Sequence, residues 1–147
     1  NDQGILKNVT KNKILEYRII IATLNCCGSL LQMKFHSKFS HIFIDESGQS
    51  VEPETLIPLT LLDKNDGQCV LAGDPKQLGP ILTSRHGKLF NYNYSFMERL
   101  LFDNFFYEKV FGPELNEYDP KFVTKLIINY RALPSLLKVY NDLFYNG

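Results

Sequence analysis

The sequence of 147 residues has no tryptophan, only three cysteines and no net charge, because its 16 basic and 16 acidic residues cancel. The balanced charge excludes a uniformly basic or acidic surface, although a local basic groove on a neutral body stays compatible with it. Three cysteines, two of them adjacent, do not form a disulfide framework, so we expect reduced thiols and a cytoplasmic location. No apolar run reaches membrane-spanning length, and no signal peptide is visible.

The composition is that of a folded domain, with 44% hydrophobic and 13% aromatic residues. A chain of this length corresponds to one domain of ordinary size. It begins with Asn1 and a polar stretch, so we expect it to be a piece of a longer protein.

Strand-like and helix-like segments alternate along the chain, which predicts an α/β fold with a parallel sheet flanked by helices. The expected strands are 17–23, 41–45, 68–73 and 122–128. The expected helices are 29–35, 52–62, 95–104 and 133–145. Residues 111–120 have the composition of a linker, so we place a domain boundary there, between residues 1–119 and 120–147. One strand and one helix after the boundary are too little to bury a core alone.

An acidic pair, Asp45-Glu46, ends the second expected strand. Magnesium prefers oxygen ligands and usually takes one or two carboxylates, with water and substrate phosphates completing its shell. Asp45 is therefore a candidate Mg²⁺ ligand, and Glu46 is a candidate base for an attacking water. The alternative is that both acids only begin a helix and satisfy its first amides.

The third expected strand ends in Gly73-Asp74-Pro75, followed by Gln77. Glycine allows close backbone approach, and proline fixes the turn. The amide of Gln77 accepts from water and donates to phosphate oxygen, which makes it a candidate sensor of a terminal phosphate. The alternative is a loop amide bonded to the local backbone. Two such motifs after neighbouring strands indicate a nucleotide site at the carboxyl edge of a parallel sheet.

Tyr130-Arg131 follows the last expected strand. The guanidinium of arginine presents a planar fork suited to phosphate, and a tyrosine ring can stack on a purine. The alternatives are a surface arginine and a packed tyrosine.

Taken in order, three strings resemble motifs of superfamily 1 helicases of the Upf1-like group. They are DESGQ at 45–49, GDPKQLGP at 73–80 and NYR at 129–131. Within that group the sequence is similar to the Armitage-like RNA-silencing helicases, relatives of the Moloney leukaemia virus 10 protein. The likeness extends over nearly the whole chain, and the GDPxQLGP string is quite specific.

The resemblance implies a partial P-loop NTPase (RecA-like) sheet in residues 1–119 and the first strand and helix of a second RecA-like domain in 120–147. It also implies ATP and Mg²⁺ as cofactors. By the same resemblance, Asp45 holds Mg²⁺ and Glu46 activates the hydrolytic water. Gly73 and Asp74 lie at the nucleotide, and Gln77 senses its terminal phosphate. Tyr130 stacks on adenine, and Arg131 contacts the terminal phosphate.

As partner, the resemblance implies single-stranded RNA or an RNA duplex, with ATP hydrolysis coupled to 5′-to-3′ movement in RNA silencing. RNA-silencing proteins would be further partners, with the cytoplasm or its ribonucleoprotein granules as the location. Thr23 falls where this family touches the nucleic-acid backbone, although it is equally well explained as a β-branched strand residue.

The sequence departs from the family pattern in several respects. Ser47 stands where alanine is common, and Ala132-Leu133 replaces the more usual Ser-His after Arg131. A later arginine motif of the second domain is missing. The chain also has no G-x-x-x-x-G-K-[ST] string, so we expect it neither to bind ATP tightly nor to unwind duplexes alone. Two other functions stay open: a nucleotide-gated RNA-binding scaffold without turnover, and a DNA helicase of the same superfamily.

Overall fold

The computed structural model describes residues 10–90, 92–102, 109–110, 117–118 and 121–145. Its helices are α1 Lys11–Leu15, α2 Cys27–Gln32, α3 Glu52–Leu59, α4 Arg85–Leu89, α5 Phe96–Phe102 and α6 Pro134–Tyr140. Its strands are β1 His41–Ile44, β2 Gln68–Leu71, β3 Lys109–Val110 and β4 Glu117–Tyr118. A 3₁₀ turn covers Ser47–Gln49, and a π-helical turn covers Asn141–Tyr145.

Strands β1 and β2 pair in parallel, with His41 opposite Gln68 and Ile44 opposite Leu71. The chain passes from one strand to the other through α3, because parallel neighbours need a crossover connection. The ladder continues past the last pair, where the backbone N–H of Ala72 donates to the Ile44 carbonyl over 2.8 Å. This arrangement confirms the α/β class and the parallel pairing of the two strands.

The hydrophobic core lies beside β1, between α2 and the end of the α3 connection. Leu30, Phe35 and Leu61 are its buried members, and Phe35 stacks on Phe39 with ring centroids 6.0 Å apart. Partly buried hydrophobic residues surround them: Ile14, Ile20, Cys27, Leu31, Met33, Phe39 and Ile42. Their burial fixes one face of β1 against the helices.

A bidentate ion pair joins helix α5 to helix α3. The Arg99 guanidinium donates to both carboxylate oxygens of Glu52, over 2.7 Å each. At the start of α5, the buried Ser95 hydroxyl oxygen accepts from the backbone N–H of Glu98 over 3.0 Å. A capped first turn and a fork-like pair together hold α5 near the end of the sheet.

Two expected strands are wrong. Residues 17–23 and 122–128 form no strand, and most of their apolar side chains are exposed, with Ile21 at 94% and Leu126 at 89%, whereas Ile20 is partly buried against the core. Strand propensity largely expresses packing on a neighbouring pleated surface. No such surface meets these segments within the described residues, so a β-branched run alone does not produce a strand.

The other expected elements are confirmed, with shifted ends. Strands 41–45 and 68–73 end one and two residues earlier than expected, and helices 29–35, 52–62, 95–104 and 133–145 correspond to α2, α3, α5 and α6. The expected last residues of the third of these helices, 103–104, lie outside the described residues. In the last of these, residues 141–145 are π-helical. Helices α1 and α4 are additions to the prediction.

Most of the expected linker, 111–120, lies outside the described residues, but Glu117–Tyr118 pairs antiparallel with Lys109–Val110. The division into two domains stays a prediction. In the described part of the chain, every helix is too short or too polar to cross a membrane.

Candidate functional site

The acidic pair lies at the end of β1, where both residues are exposed. The backbone N–H of Glu46 donates to Oδ1 of Asp45 over 3.0 Å. The second oxygen of Asp45, Oδ2, accepts no hydrogen bond from the residues that the structure describes. Asp45 therefore presents an accessible carboxylate oxygen directly after a sheet strand.

Glu46 adopts a left-handed backbone conformation, with φ 52° and ψ 35°. This conformation is uncommon outside glycine and costs about 1 kcal/mol or more, so the surrounding structure must impose it. The side-chain amide of Gln49 donates to Oε2 of Glu46 over 3.1 Å and orients its carboxylate. Glu46 precedes the 3₁₀ turn without a capping side-chain bond, which argues against a purely helix-starting role.

Ser47 joins the two strand-end motifs. Its side chain is fully buried, and its backbone N–H donates to the Ala72 carbonyl over 2.8 Å. Its hydroxyl bonds the same carbonyl over 3.0 Å and reaches the sulfur of Met97, in α5, over 3.2 Å. The residue after the acidic pair is thus bonded to the residue before Gly73.

Glycines allow the close approach of these two loops. A Cβ atom on Gly73 would lie 3.0 Å from the backbone nitrogen of Gly48 and 3.1 Å from that of Ser47. A Cβ atom on Gly48 would lie 3.1 Å from the Asp74 carbonyl oxygen. Side chains at either position would push the loops apart, so Gly73 has a steric role at the site.

The Asp74 carboxylate organises the loop that follows β2. Its Oδ1 accepts from the backbone N–H of Lys76 over 2.9 Å, and its Oδ2 accepts from the side-chain amide of Gln77 over 3.1 Å. The hydroxyl of Tyr145 donates to the same Oδ2. Gln77 therefore makes the local contact that the loop-amide alternative expects, but to a side chain instead of the backbone.

Partial burial opposes ionisation of Asp74, but the hydrogen bonds from Tyr145, Lys76 and Gln77 and the Lys76 charge outweigh it. The pKa of Asp74 therefore lies below its ordinary value. The same bond to Asp74, with smaller effects of burial and of the negative charge, raises the pKa of Tyr145 to about 12. Asp74 is thus an anion and Tyr145 a neutral donor at physiological pH.

Tyr130 and Arg131 lie at an exposed turn. Tyr130 is 90% exposed, and Arg131 is exposed as well. Asn129 shapes their turn, because its Oδ1 accepts from the backbone N–H groups of Arg131 and Ala132 over 2.8 and 2.9 Å. Within the described residues, no hydrogen bond or ion pair joins either side chain to the motifs after β1 and β2.

Thr23 does not end a strand, because residues 17–23 are not a strand. Its hydroxyl oxygen accepts from the backbone N–H of Cys26 over 3.4 Å, at the turn that leads into α2. Thr23 is exposed, and its contact with nucleic acid stays a prediction.

Three residues at the site were not among the sequence candidates: Ser47, Gln49 and Tyr145. The replacement of a common alanine by Ser47 is the one signal in the sequence that pointed toward such a role. Gln49 belongs to the DESGQ string, but its spacing does not reveal a contact with Glu46. Tyr145 is 71 positions from Asp74, and no local pattern connects them.

Comparison with known proteins identifies the class. The family model described as "AAA domain" matches residues 3–85, more than half of the chain. The chain therefore belongs to the AAA domain family. No solved structure matches it significantly.

Several curated relatives of the chain carry the names of helicases. The chain is 44% identical over 133 residues to "Probable RNA helicase armi" of Drosophila melanogaster, covering 88% of this chain and 11% of the relative. It is 46% identical over 139 residues to "Putative helicase mov-10-B.1" of Danio rerio, covering 93% and 13%. It is 43% identical over 137 residues to "RNA helicase Mov10l1" of Homo sapiens, covering 91% and 11%. The family resemblance of the motifs is thereby confirmed, for a chain that spans 11–13% of these relatives.

Proposed function

We propose that this chain carries part of the ATP site of an RNA helicase. The observation that supports it best is the junction at Ser47 and Gly73, which brings an acidic pair and an amide-bearing loop together after two parallel strands. Open α/β sheets bind ligands at the carboxyl ends of their strands. The names of the relatives support RNA as the substrate.

The donor set at Asp45 fits a magnesium ion bound with a nucleotide. In the described part of the chain, no three His, Cys, Asp or Glu side chains gather into an all-protein metal site. Magnesium needs no such group, because it is commonly bound by one or two carboxylates and by substrate phosphates. Asp45 would hold it through Oδ2, and the ion would neutralise charge on the phosphates.

Glu46 and Gln77 are the residues that act on the reacting groups. Glu46 accepts the proton of the attacking water, with its carboxylate oriented by Gln49. Gln77 gives one amide N–H to Asp74 and keeps its second N–H for a phosphate oxygen. Gly73 and Asp74 shape the nucleotide side of this loop.

The remainder of the site belongs to a two-domain, RecA-like arrangement. Residues 120–147 would begin the second domain, from which Arg131 contacts the terminal phosphate and Tyr130 stacks on adenine. The phosphate-cradling G-x-x-x-x-G-K-[ST] loop would come from another part of the longer protein. Hydrolysis would drive 5′-to-3′ movement on RNA in a silencing pathway in the cytoplasm, with Thr23 facing the RNA backbone.

The test is Glu46→Gln in the full-length protein that contains this chain. Removing a positioned base should lower ATP turnover by about 10²-fold or more while leaving ATP binding intact. Glu16→Gln is the matched control, because Glu16 is an exposed carboxylate whose only ion pair among the described residues is with Lys13, and its turnover should equal wild type.

Retained turnover in Glu46→Gln would refute the water-activating role. If the wild-type protein clamps RNA with ATP but hydrolyses none, the scaffold function replaces the helicase. Matched RNA and DNA duplexes separate an RNA helicase from a DNA helicase, because only RNA offers 2′-hydroxyl contacts.

A further inference from the structure

Tyr145 reaches the loop after β2 from the far end of the chain. It lies in the π-helical turn Asn141–Tyr145, directly after α6, and its hydroxyl donates to Oδ2 of Asp74. The same oxygen accepts the side-chain amide of Gln77. A single carboxylate oxygen therefore connects Tyr145 to the residue proposed to sense phosphate.

We infer that Tyr145 is a positioning residue for Gln77, acting through the Asp74 carboxylate. This inference rests on the proposed function, because it assigns to Tyr145 a share in the ATP chemistry of the same loop. Tyr145 does not itself touch the reacting atoms in this role.

The geometry explains how a hydroxyl can affect an amide that it does not touch. An Asp side chain turns about two torsions, and three donors from two directions restrict it. Lys76 and Gln77 approach Asp74 from its own loop, whereas Tyr145 approaches from the last helical segment. With the carboxylate fixed, one N–H of Gln77 is held, and its second N–H and its carbonyl oxygen keep a constant direction.

A second attachment holds the Tyr145 segment on the same loop. The ammonium group of Lys76 donates to the backbone carbonyl of Phe144 and lies 5.3 Å from the centre of the Tyr145 ring. A cation near an aromatic ring is attracted to its face. The ring and the hydroxyl of Tyr145 thus have separate partners, so that Tyr145→Phe removes only the hydroxyl contact.

The test is a double-mutant cycle on ATP turnover in the full-length protein, with Tyr145→Phe, Gln77→Ala and the double variant. Loss of one hydrogen bond to a charged group should lower kcat of Tyr145→Phe about fivefold and change KM for ATP by less than about twofold. In the Gln77→Ala background, Tyr145→Phe should cause no further loss, because the group that it positions is gone. Tyr140→Phe, in the exposed part of α6, is the control and should match wild type.

Two results overturn the inference while leaving the proposed function standing. Either Tyr145→Phe keeps wild-type kcat although Gln77→Ala lowers it, or Tyr145→Phe lowers kcat equally in both backgrounds, as a general structural role would. If Gln77→Ala itself turns over ATP at the wild-type rate, the proposed role of Gln77 fails, and the inference fails with it.

Discussion

The two candidate regions of this chain are held in very different ways. After β1 and β2, backbone hydrogen bonds, the fully buried Ser47 and the close approach at Gly73 fix the loops against each other. Around Tyr130 and Arg131, one Asn129 side chain shapes the turn, and both candidate side chains are exposed. The first region is part of the folded framework, whereas the second presents side chains to solvent.

Residues such as Ser47 and Gly73 are part of the folded framework of the proposed site. Arg131 would contact the nucleotide without supporting the fold. Substitutions near Ser47 and Gly73 should affect stability and activity together, because the loops are also structural. Substitutions at Arg131 should affect activity alone. This contrast can be tested one region at a time.

The largest effect is expected from Arg131→Ala in the full-length protein. Loss of an arginine that stabilises charge in phosphoryl transfer should lower ATP turnover about 10³-fold. The free energy of unfolding should change by less than about 0.5 kcal/mol, because Arg131 is exposed. ATPase assays and urea unfolding measure the two quantities, and Arg85→Ala in α4 is the control. An unfolding loss above about 1 kcal/mol would place Arg131 in the framework instead.

The next effect is expected from Gly73→Val, in the first region. Its Cβ would press on the backbone of Ser47 and Gly48, so we expect a loss of about 3 kcal/mol in the free energy of unfolding. Gly79→Ala is the control for adding a Cβ to this loop, because a Cβ there meets nothing within 4 Å, and it should stay within about 0.5 kcal/mol of wild type. Equal stability of Gly73→Val and wild type in urea unfolding would contradict the close approach of the loops.

The smallest effect concerns acid stability. Because folding lowers the pKa of Asp74 from 3.8, its ionised form stabilises the fold above about pH 4, and this contribution disappears as pH falls through the lower folded value. The free energy of unfolding of Asp74→Asn should therefore fall less than that of wild type when the pH is lowered from 6 to about 2. Urea unfolding at several pH values measures this, and identical acid dependence of the two proteins would argue against the hydrogen bonds at Asp74.

The parts predicted correctly from the sequence depend on local patterns. A short apolar run that ends in polar residues predicted β1 and β2. Asp45, Glu46 and Gln77 do follow these two strands, but their roles stay predictions. The runs at 17–23 and 122–128 have equal strand propensity but no partner strand among the described residues. Pairing is a tertiary property, so the pattern could not distinguish the two cases.

The contacts that the sequence did not predict join distant positions. Ser47 reaches Met97, 50 residues away, and Tyr145 reaches Asp74 across 71 residues. Such contacts depend on how the helices and strands pack against each other. Neither the periodicity nor the spacing of residues in the sequence predicts that packing. The departure of Ser47 from the common alanine was visible, but its partners were not.

We propose that the loops after β1 and β2 act as one catalytic site. The decisive experiment is single-turnover ATP hydrolysis by Glu46→Gln, Gln77→Ala and the double variant in the full-length protein. We predict that the double variant is no more than about twofold slower than Glu46→Gln alone, because residues that act as a unit are not additive. Fully additive losses would contradict the account and show two groups acting independently.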